Sequence, residues 1–285
     1  MSGLKDCKVV GCERLATRKS ACLCEMHYYR VRRTGSTETS KRKCDTSVFA
    51  NPSSSVAWLL GLIWSDGCIR GNRVSLSSVD KDLIDEACRV FGGCTSHIRP
   101  KGERAFELGY SDQKMVNDLH RLGLTEAKSL TCKWPVGLER NLYRHFVRGV
   151  FDGDGSAVIH RVKKQSDPIL TLYVCTASPQ FAEDLSSVLL SQGIRAKKYV
   201  STSGNINPVW YVHAGNRGVV EEMARFMYDE GGPCLDRKKR RIAEWLSAPR
   251  TPPGNPRLVG REKKFPVKID RWVQDYLLRS ATQID

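Results

Sequence analysis

Asp66 and Asp154 are the residues of this chain best placed to do chemistry. They close two similar stretches, WLLGLIWSDG at 58–67 and FVRGVFDGDG at 146–155. Aligned at their ends, Gly61 matches Gly149, Leu62 matches Val150, Asp66 matches Asp154 and Gly67 matches Gly155. Each reads as a helix with apolar residues, an interior glycine and a terminal Asp-Gly. A glycine inside a helix costs about 1 kcal/mol relative to alanine, so two matched ones ask for a reason. Close packing supplies it, because without a β-carbon two helices can approach nearer than the usual 8–10 Å or so. The terminal glycine suits the left-handed turn that stops a helix. The aspartate before it is unfavourable there, since a helix C-terminus carries partial negative charge. Parallel packing through Gly61 and Gly149 would bring Asp66 and Asp154 side by side. Two carboxylates about 4 Å apart repel by roughly 4 kcal/mol at an effective dielectric of 20. That arrangement calls for bound cations.

A second donor set lies near the N-terminus. Cys7, Cys12, Cys24 and His27 form two ligand pairs around a short basic loop, a pattern suited to tetrahedral zinc. Cys22 competes with Cys24 for the third position, and spacing alone leaves that choice open. A segment this small has no core of its own, so metal binding would supply its folding free energy. His27 opens the run HYYRVRR, whose Arg30, Arg32 and Arg33 are candidates to face phosphate.

The elements that must position these groups follow from pattern. The chain has 285 residues, enough for one large domain or two plus appendages. It lacks an apolar run of membrane length and an N-terminal signal region, so an intracellular protein is expected. Eleven cysteines, an odd number, fit reduced thiols and a metal site better than a disulfide framework. The net charge of +15 gathers in the flanks: 11 basic against 5 acidic residues in 1–50, and 13 against 6 in 236–285. Such flanks read as sequence-independent grips on a polyanion. Residues 1–36 form the zinc module, 37–51 a linker, 52–140 and 141–247 two similar halves, and 248–285 a basic C-terminal extension. Each half reads as helix, two strands, helix, two strands, helix, with a polar cap expected at Ser111 and a helix from Ser178 to Gln192 that carries Pro179 in its first turn. SSVDKDL at 77–83 parallels TASPQFA at 176–182, which marks an internal duplication. In the extension, Trp272, Val273, Tyr276 and Leu277 share one face of an amphipathic helix that either packs on the core or contacts nucleic acid.

The paired stretches resemble the two motifs of single-chain LAGLIDADG homing endonucleases, although Trp64 stands where the motif has its first Asp. The N-terminal module is similar to small zinc modules found beside phage-type nucleases. The resemblance covers about 52–247 and implies an α+β fold. In it, two pseudo-symmetric αββαββα halves meet at the motif helices, and antiparallel sheets form a DNA-binding saddle. It implies a monomer that hydrolyses both strands of a long, asymmetric DNA target. Asp66 and Asp154 would hold magnesium or manganese, with Lys128 and Lys238 in supporting catalytic roles; Lys239 is the neighbour that could take the second role. Base and phosphate contacts are expected from Arg70, Arg73, Arg99, Lys101, Arg104, Arg161, Lys163, Lys164, Arg195, Lys197 and Lys198, with strand alternation sending only about half to the open face. The alternative is an intron maturase binding RNA, or a non-cleaving DNA-binding regulator, on the same scaffold. An intein-embedded enzyme is disfavoured by Met1 and by the absence of a C-terminal His-Asn pair.

Overall fold

The structure, a computed structural model, describes residues 6–37, 44–93, 97–161, 167–202, 206–249 and 270–281. The chain divides into two compact units between Lys43 and Cys44. The first holds a small cluster of Cys7, Leu23 and Cys24, flanked by Val9, Cys12 and Tyr28. It leads into helix α1 (Glu25–Thr34), which ends at Gly35 in the left-handed conformation. The isolated bridges Asp6↔Leu15 and Arg18↔Leu23, with the Lys8 N–H donating to Cys22 O at 2.9 Å, tie its backbone together.

In the second unit the duplication is visible element by element. The first half runs α2 (Ser54–Ser65), β1 (Gly67–Arg70), β2 (Arg73–Ser78), α3 (Lys81–Val90), β3 (Ile98–Lys101), β4 (Ala105–Ser111) and α4 (Gln113–Arg121). The second runs α5 (Tyr143–Asp154), β5 (Gly155–His160), β6 (Ile169–Thr176), α6 (Pro179–Ser191), β7 (Lys197–Ser201), β8 (Val209–Ala214) and α7 (Arg217–Tyr228). The sheets are antiparallel with the same order, β1-β2-β4-β3 and β5-β6-β8-β7. The first two strands of the first sheet alternate between a buried apolar face and an open one, while the edge strands β3 and β7 are largely exposed. Ile69, Val74, Leu76 and Leu108 point inward from the first sheet; Leu172, Val174 and Val212 do so from the second. Helix α2 is buried from Val56 to Trp64, apolar on every side because α5, α3 and the first sheet pack against it.

Capping chemistry accounts for several boundaries. Pro179 opens α6 as the sequence indicates, and Ser178, expected inside the helix, is its cap and accepts from the Phe181 N–H. The expected cap at Ser111 lies one residue further on. Ser111 is still paired with Arg73 in the ladder, and Asp112 accepts from Met115 N–H at 2.9 Å. The expected linker 37–51 is too long, because Phe49 is fully buried and the Asp45 N–H donates to Phe91 O at 2.9 Å. Residues from Cys44 onward therefore belong to the second unit.

Helix α8 (Asp236–Ser247) ties the halves together: Arg237 forms a two-pronged pair with Asp80 before α3, both contacts at 2.8 Å. The C-terminal helix α9 (Arg271–Ala281) packs on the second half. Trp272 and Val273 are buried, the Trp272 ring lies 5.4 Å from Tyr228, and the Tyr276 hydroxyl donates to Asp236 at 2.7 Å. Among the described residues, no helix is long and apolar enough to cross a membrane.

Candidate active site

The site is built where α2 and α5 touch. A β-carbon at Gly61 would collide with the Phe146 carbonyl and stand 2.7 Å from Val150 N. One at Gly149 would collide with the Trp58 carbonyl and stand 3.0 Å from Gly61 Cα. Backbone faces backbone, so the two glycines are what lets the helices meet. The contact continues to the helix ends, where a β-carbon at Gly153 would lie 3.1 Å from Asp66 Oδ2. Asp66 caps α2, and Asp154 is the last residue of α5.

The Asp154 carboxyl senses the Asp66 charge. Asp154 is pushed up to about 6, first by burial and then by the Asp66 charge, with Lys128 and Lys238 opposing. Asp66 is also raised by loss of hydration, again against the pull of Lys238 and Lys128. Each lysine caps one helix end. Lys128 Nζ donates to Ser65 O at 2.7 Å. Lys238 Nζ donates to Phe151 O and Asp152 O at 2.7 Å and to Gly153 O at 3.2 Å. Burial lowers both ammonium groups, Lys238 to about 8. Lys239 points elsewhere, its Nζ 5.7 Å and 5.0 Å from the Tyr228 and Tyr276 ring centroids.

Two positioning residues had no signal of their own in the sequence. Asp152 is buried and accepts from Trp58 Nε1 at 2.8 Å and from Leu235 N–H at 2.9 Å. Leu235 is the residue that caps α8, so Asp152 fixes the start of the helix carrying Lys238. Trp64, at the matching position of the first motif, instead donates Nε1 to Lys133 O at 2.7 Å, in the segment carrying Lys128. The same job is thus done by an acceptor in one half and a donor in the other. A cavity of about 310 Å³ opens beside Asp154, lined by Lys128, Cys132 and Cys175 among others.

A raised carboxyl in the folded state makes a definite prediction. Its stabilising contribution is complete below the unfolded value, 3.8 for aspartate, and is lost as pH rises through the folded value near 6. Asp152, raised by burial to about 6, acts in the same sense. At about 1.4 kcal/mol per unit, each removes on the order of 3 kcal/mol from the metal-free protein by pH 7.5. Magnesium should restore the part due to Asp66 and Asp154. The melting temperatures in magnesium and in EDTA should coincide at pH 5 and separate above pH 6, by about 2–4 °C per kcal/mol. A separation independent of pH would contradict the assignment.

In the N-terminal unit, the donor atoms of Cys7, Cys12, Cys24 and His27 all lie within 4.8 Å of one another. His27 Nδ1 is 3.3 Å from Cys7 Sγ and 3.4 Å from Cys24 Sγ, and Cys12 Sγ is 3.9 Å from Cys24 Sγ. Tetrahedral zinc with bonds of roughly 2.3 Å to sulfur and 2.0–2.1 Å to nitrogen needs edges of roughly 3.6–3.8 Å, so the set has the right size. Burial opposes the Cys7 thiolate, but backbone hydrogen bonds at Cys24 and Val9, with His27, bring it down to about 6. Cys22 stands outside the set. On α1, Arg32 and Arg33 are exposed, whereas Arg30 donates to Thr37 O at 3.0 Å.

Of the expected nucleic-acid contacts, Arg70, Arg73, Arg99 and Lys101 lie on the open face of the first sheet. Lys197 does so on the second. Arg104, Arg161 and Arg195 are exposed at strand ends. Lys198 is a correction: strand alternation turns it to the helix side, where it pairs with Glu183 of α6. Lys163 and Lys164 lie outside the described residues.

Residues 141–226, from just before α5 into α7, match the family model of the LAGLIDADG-like domain. The second half is a LAGLIDADG-like domain. The first half repeats its element order, sheet order and helix-end aspartate. Among curated proteins, a DNA gyrase subunit of Mycobacterium kansasii is 23% identical over 163 residues, which is 54% of this chain. The chain spans 29% of that protein's length. Among solved structures, the I-SmaMI LAGLIDADG homing endonuclease bound to cleaved DNA is 15% identical with a TM-score of 0.48, over 66% of this chain and 87% of its own. The LAGLIDADG meganuclease I-AabMI bound to uncleaved DNA is 14% identical with a TM-score of 0.49, over 69% and 90%.

Proposed function

We propose that the chain is a site-specific, metal-dependent endonuclease that hydrolyses both strands of a DNA duplex in the manner of homing endonucleases. One observation carries this: two acids are held together at the ends of a glycine-packed helix pair, at a cost in burial and repulsion that a divalent cation would relieve. The donors are hard oxygens, which suits magnesium or manganese. When bound there, such ions would activate water and stabilise the charge that develops on the phosphate. Asp66 and Asp154 are the ligands. Lys128 and Lys238 hold the helix ends in register and add positive charge beside the phosphate; with their ammonium groups engaged by carbonyls, they act by charge and not as bases. No protein nucleophile is required. The test is cleavage of a randomised duplex library in magnesium, with selection of the cut sites. A chain that binds duplex but never cuts would instead be a regulator, and preference for structured RNA would make it a maturase.

The N-terminal unit is proposed to bind zinc through Cys7, Cys12, Cys24 and His27, and to extend the contact with DNA through Arg32 and Arg33. One equivalent of zinc is expected by elemental analysis, falling to none in Cys7→Ser/Cys12→Ser. Chelation should expose the 1–43 amides to hydrogen exchange while the amides of α2 and α5 stay protected. Unchanged zinc in that variant would remove the proposal. Arg30 contributes to the unit's structure through Thr37, and its part in phosphate binding is proposed as secondary.

A further inference from the structure

The two sheets fold alike but present unlike open faces. On the first, Arg70 is paired with Arg73, and Arg99 lies across from Glu107. Arg73 donates to Glu107 at 2.7 Å, and Lys101 approaches the same carboxylate at 3.5 Å. Glu107 thereby holds two cations in fixed positions, while Arg70 and Arg99 form no ion pair among the described residues. This face is charged and rich in donors.

On the second sheet the matching face is aromatic. The register places Tyr173 opposite His213, and Tyr199 opposite Tyr211. The Tyr199 and Tyr211 rings are stacked, 4.9 Å apart and 7° from parallel. Tyr173 meets Tyr211 edge-on at 5.6 Å, and His213 meets Tyr199 edge-on at 5.8 Å. Tyr199 is 46% exposed, although it belongs to the cluster. Because Tyr199 and Tyr211 each bury one ring face against the other, ring edges and hydroxyl groups make up much of what they offer outward. A groove wall of that kind is fixed in advance, so little side-chain freedom is lost on binding. Lys197 is the cation that a strand contributes to this face among the described residues. His213 is lowered by burial and by Lys197 and His160, and is therefore neutral near pH 7.

We propose that the two halves read their flanks of the duplex by different chemistry: the first takes guanines through Arg70, Arg73 and Arg99, and the second takes thymine-rich A·T pairs through Tyr173, Tyr199, Tyr211 and His213. This rests on the DNA-binding reading given above. The physical basis is the pattern on the base edges. Guanine presents two acceptors in the major groove that match an arginine fork, whereas thymine presents a methyl group and a single acceptor. A ring edge with a hydroxyl complements the second pattern and lacks the paired donors for the first. An exposed aromatic sheet could alternatively stack unpaired bases, as single-strand and RNA binders do. The mutual stacking of Tyr199 and Tyr211 argues against that use, since it takes one face of each ring and leaves no gap between them for a base.

The experiment is selection of bound duplexes from a randomised library by the full chain in calcium, with cleavage scored separately in magnesium. Guanines should be enriched on one flank and thymines on the other. Replacing those thymines by deoxyuridine removes only the methyl groups and should weaken binding roughly fourfold for each methyl in contact. Replacing the guanines by 7-deazaguanine should weaken it about tenfold at a contacted base. In Tyr199→Ala/Tyr211→Ala the deoxyuridine penalty should vanish while the guanine flank keeps its preference. Tyr199→Phe, which retains the stack, should keep the penalty. In Arg70→Gln/Arg99→Gln only the guanine flank should relax. Guanine enrichment on both flanks, indifference to deoxyuridine, or tighter binding of single-stranded RNA by the Tyr199 face would overturn the proposal. If a site is selected and cut without any asymmetry between flanks, this inference alone fails. If no duplex is selected, the endonuclease reading fails with it.

Discussion

Asp154→Asn is expected to lower double-strand cleavage at least about a thousandfold, with Asp66→Asn close behind, while duplex affinity in calcium changes less than about threefold. The size follows from removing a proposed metal ligand from a partly buried site, where losing even one neutral donor costs about a hundredfold to a thousandfold. The variants carry a second, less obvious signature. Asp154 is raised to about 6 by burial and by Asp66, so in the metal-free protein the ionised pair is a source of strain at neutral pH. Neutralising one member should raise the melting temperature in EDTA at pH 7.5 and abolish the rise on adding magnesium. Aspartates that merely ended helices would behave otherwise. Asparagine is a good residue at a helix C-terminus, so the replacement would leave both cleavage and the magnesium response intact. Cleavage by the double variant at the normal rate would remove the acids from the mechanism altogether.

The seam and its acids were legible because they depend on residue types with few alternatives. Paired interior glycines answer to one physical need, and an aspartate at a helix end is badly placed unless something compensates. Pro179 at the first turn of α6 was readable for the same reason, since the preference of proline for a helix start is local. What the sequence hid depends on which way a side chain points. Lys197 and Lys198 are neighbours of the same type, yet strand alternation sends the first to the open face and the second to Glu183. Asp152 and Asp154 look interchangeable in FDGDG. Two residues along a helix is about 200° of rotation, so one faces Trp58 and Leu235 and the other the cleft. Phe49 sits in a polar, Lys-rich stretch that reads as a linker, and a contact distant in sequence explains its burial: its ring meets Phe91, at the end of α3, edge-on at 5.7 Å. Arg148, inside the second motif, is fully buried and donates to Met227 O at 2.8 Å, closing the C-terminal end of α7. A basic residue in that stretch gave no hint of such a role, because the carbonyl it serves lies far along the chain. Cys22 and Cys24 were inseparable by spacing, and the turn at Cys22, with φ of 50°, directs it away from the other ligands.

Gly149→Ala is the sharpest test of the scaffold, because the sign of its effect is decisive. On helix propensity alone, alanine should stabilise an interior position by about 1 kcal/mol. At Gly149 the added carbon would meet the Trp58 carbonyl, with Trp58 C at 2.9 Å and Gly61 Cα at 3.0 Å. All three are backbone atoms, so no rotamer change can make room and the helices themselves must part. Overpacking of this kind costs about 3 kcal/mol or more after the propensity gain is offset, a fall of roughly 5–10 °C in melting temperature. Gly218→Ala is the control. It lies in the first turn of α7 with only Asn216 Oδ1 near, at 3.5 Å, and should be neutral or slightly stabilising. The consequence for chemistry is separable from that for stability. Parting α2 and α5 near Gly149 also moves Asp66 relative to Asp154, and a displacement of about 1 Å in a reacting constellation can cost on the order of a hundredfold in rate. Gly149→Ala should therefore cut poorly even at a temperature where it is fully folded, and raising the magnesium concentration should recover only part of the loss. If the variant were instead more stable and fully active, the helices would not meet through their backbones, and nothing would hold the two acids together.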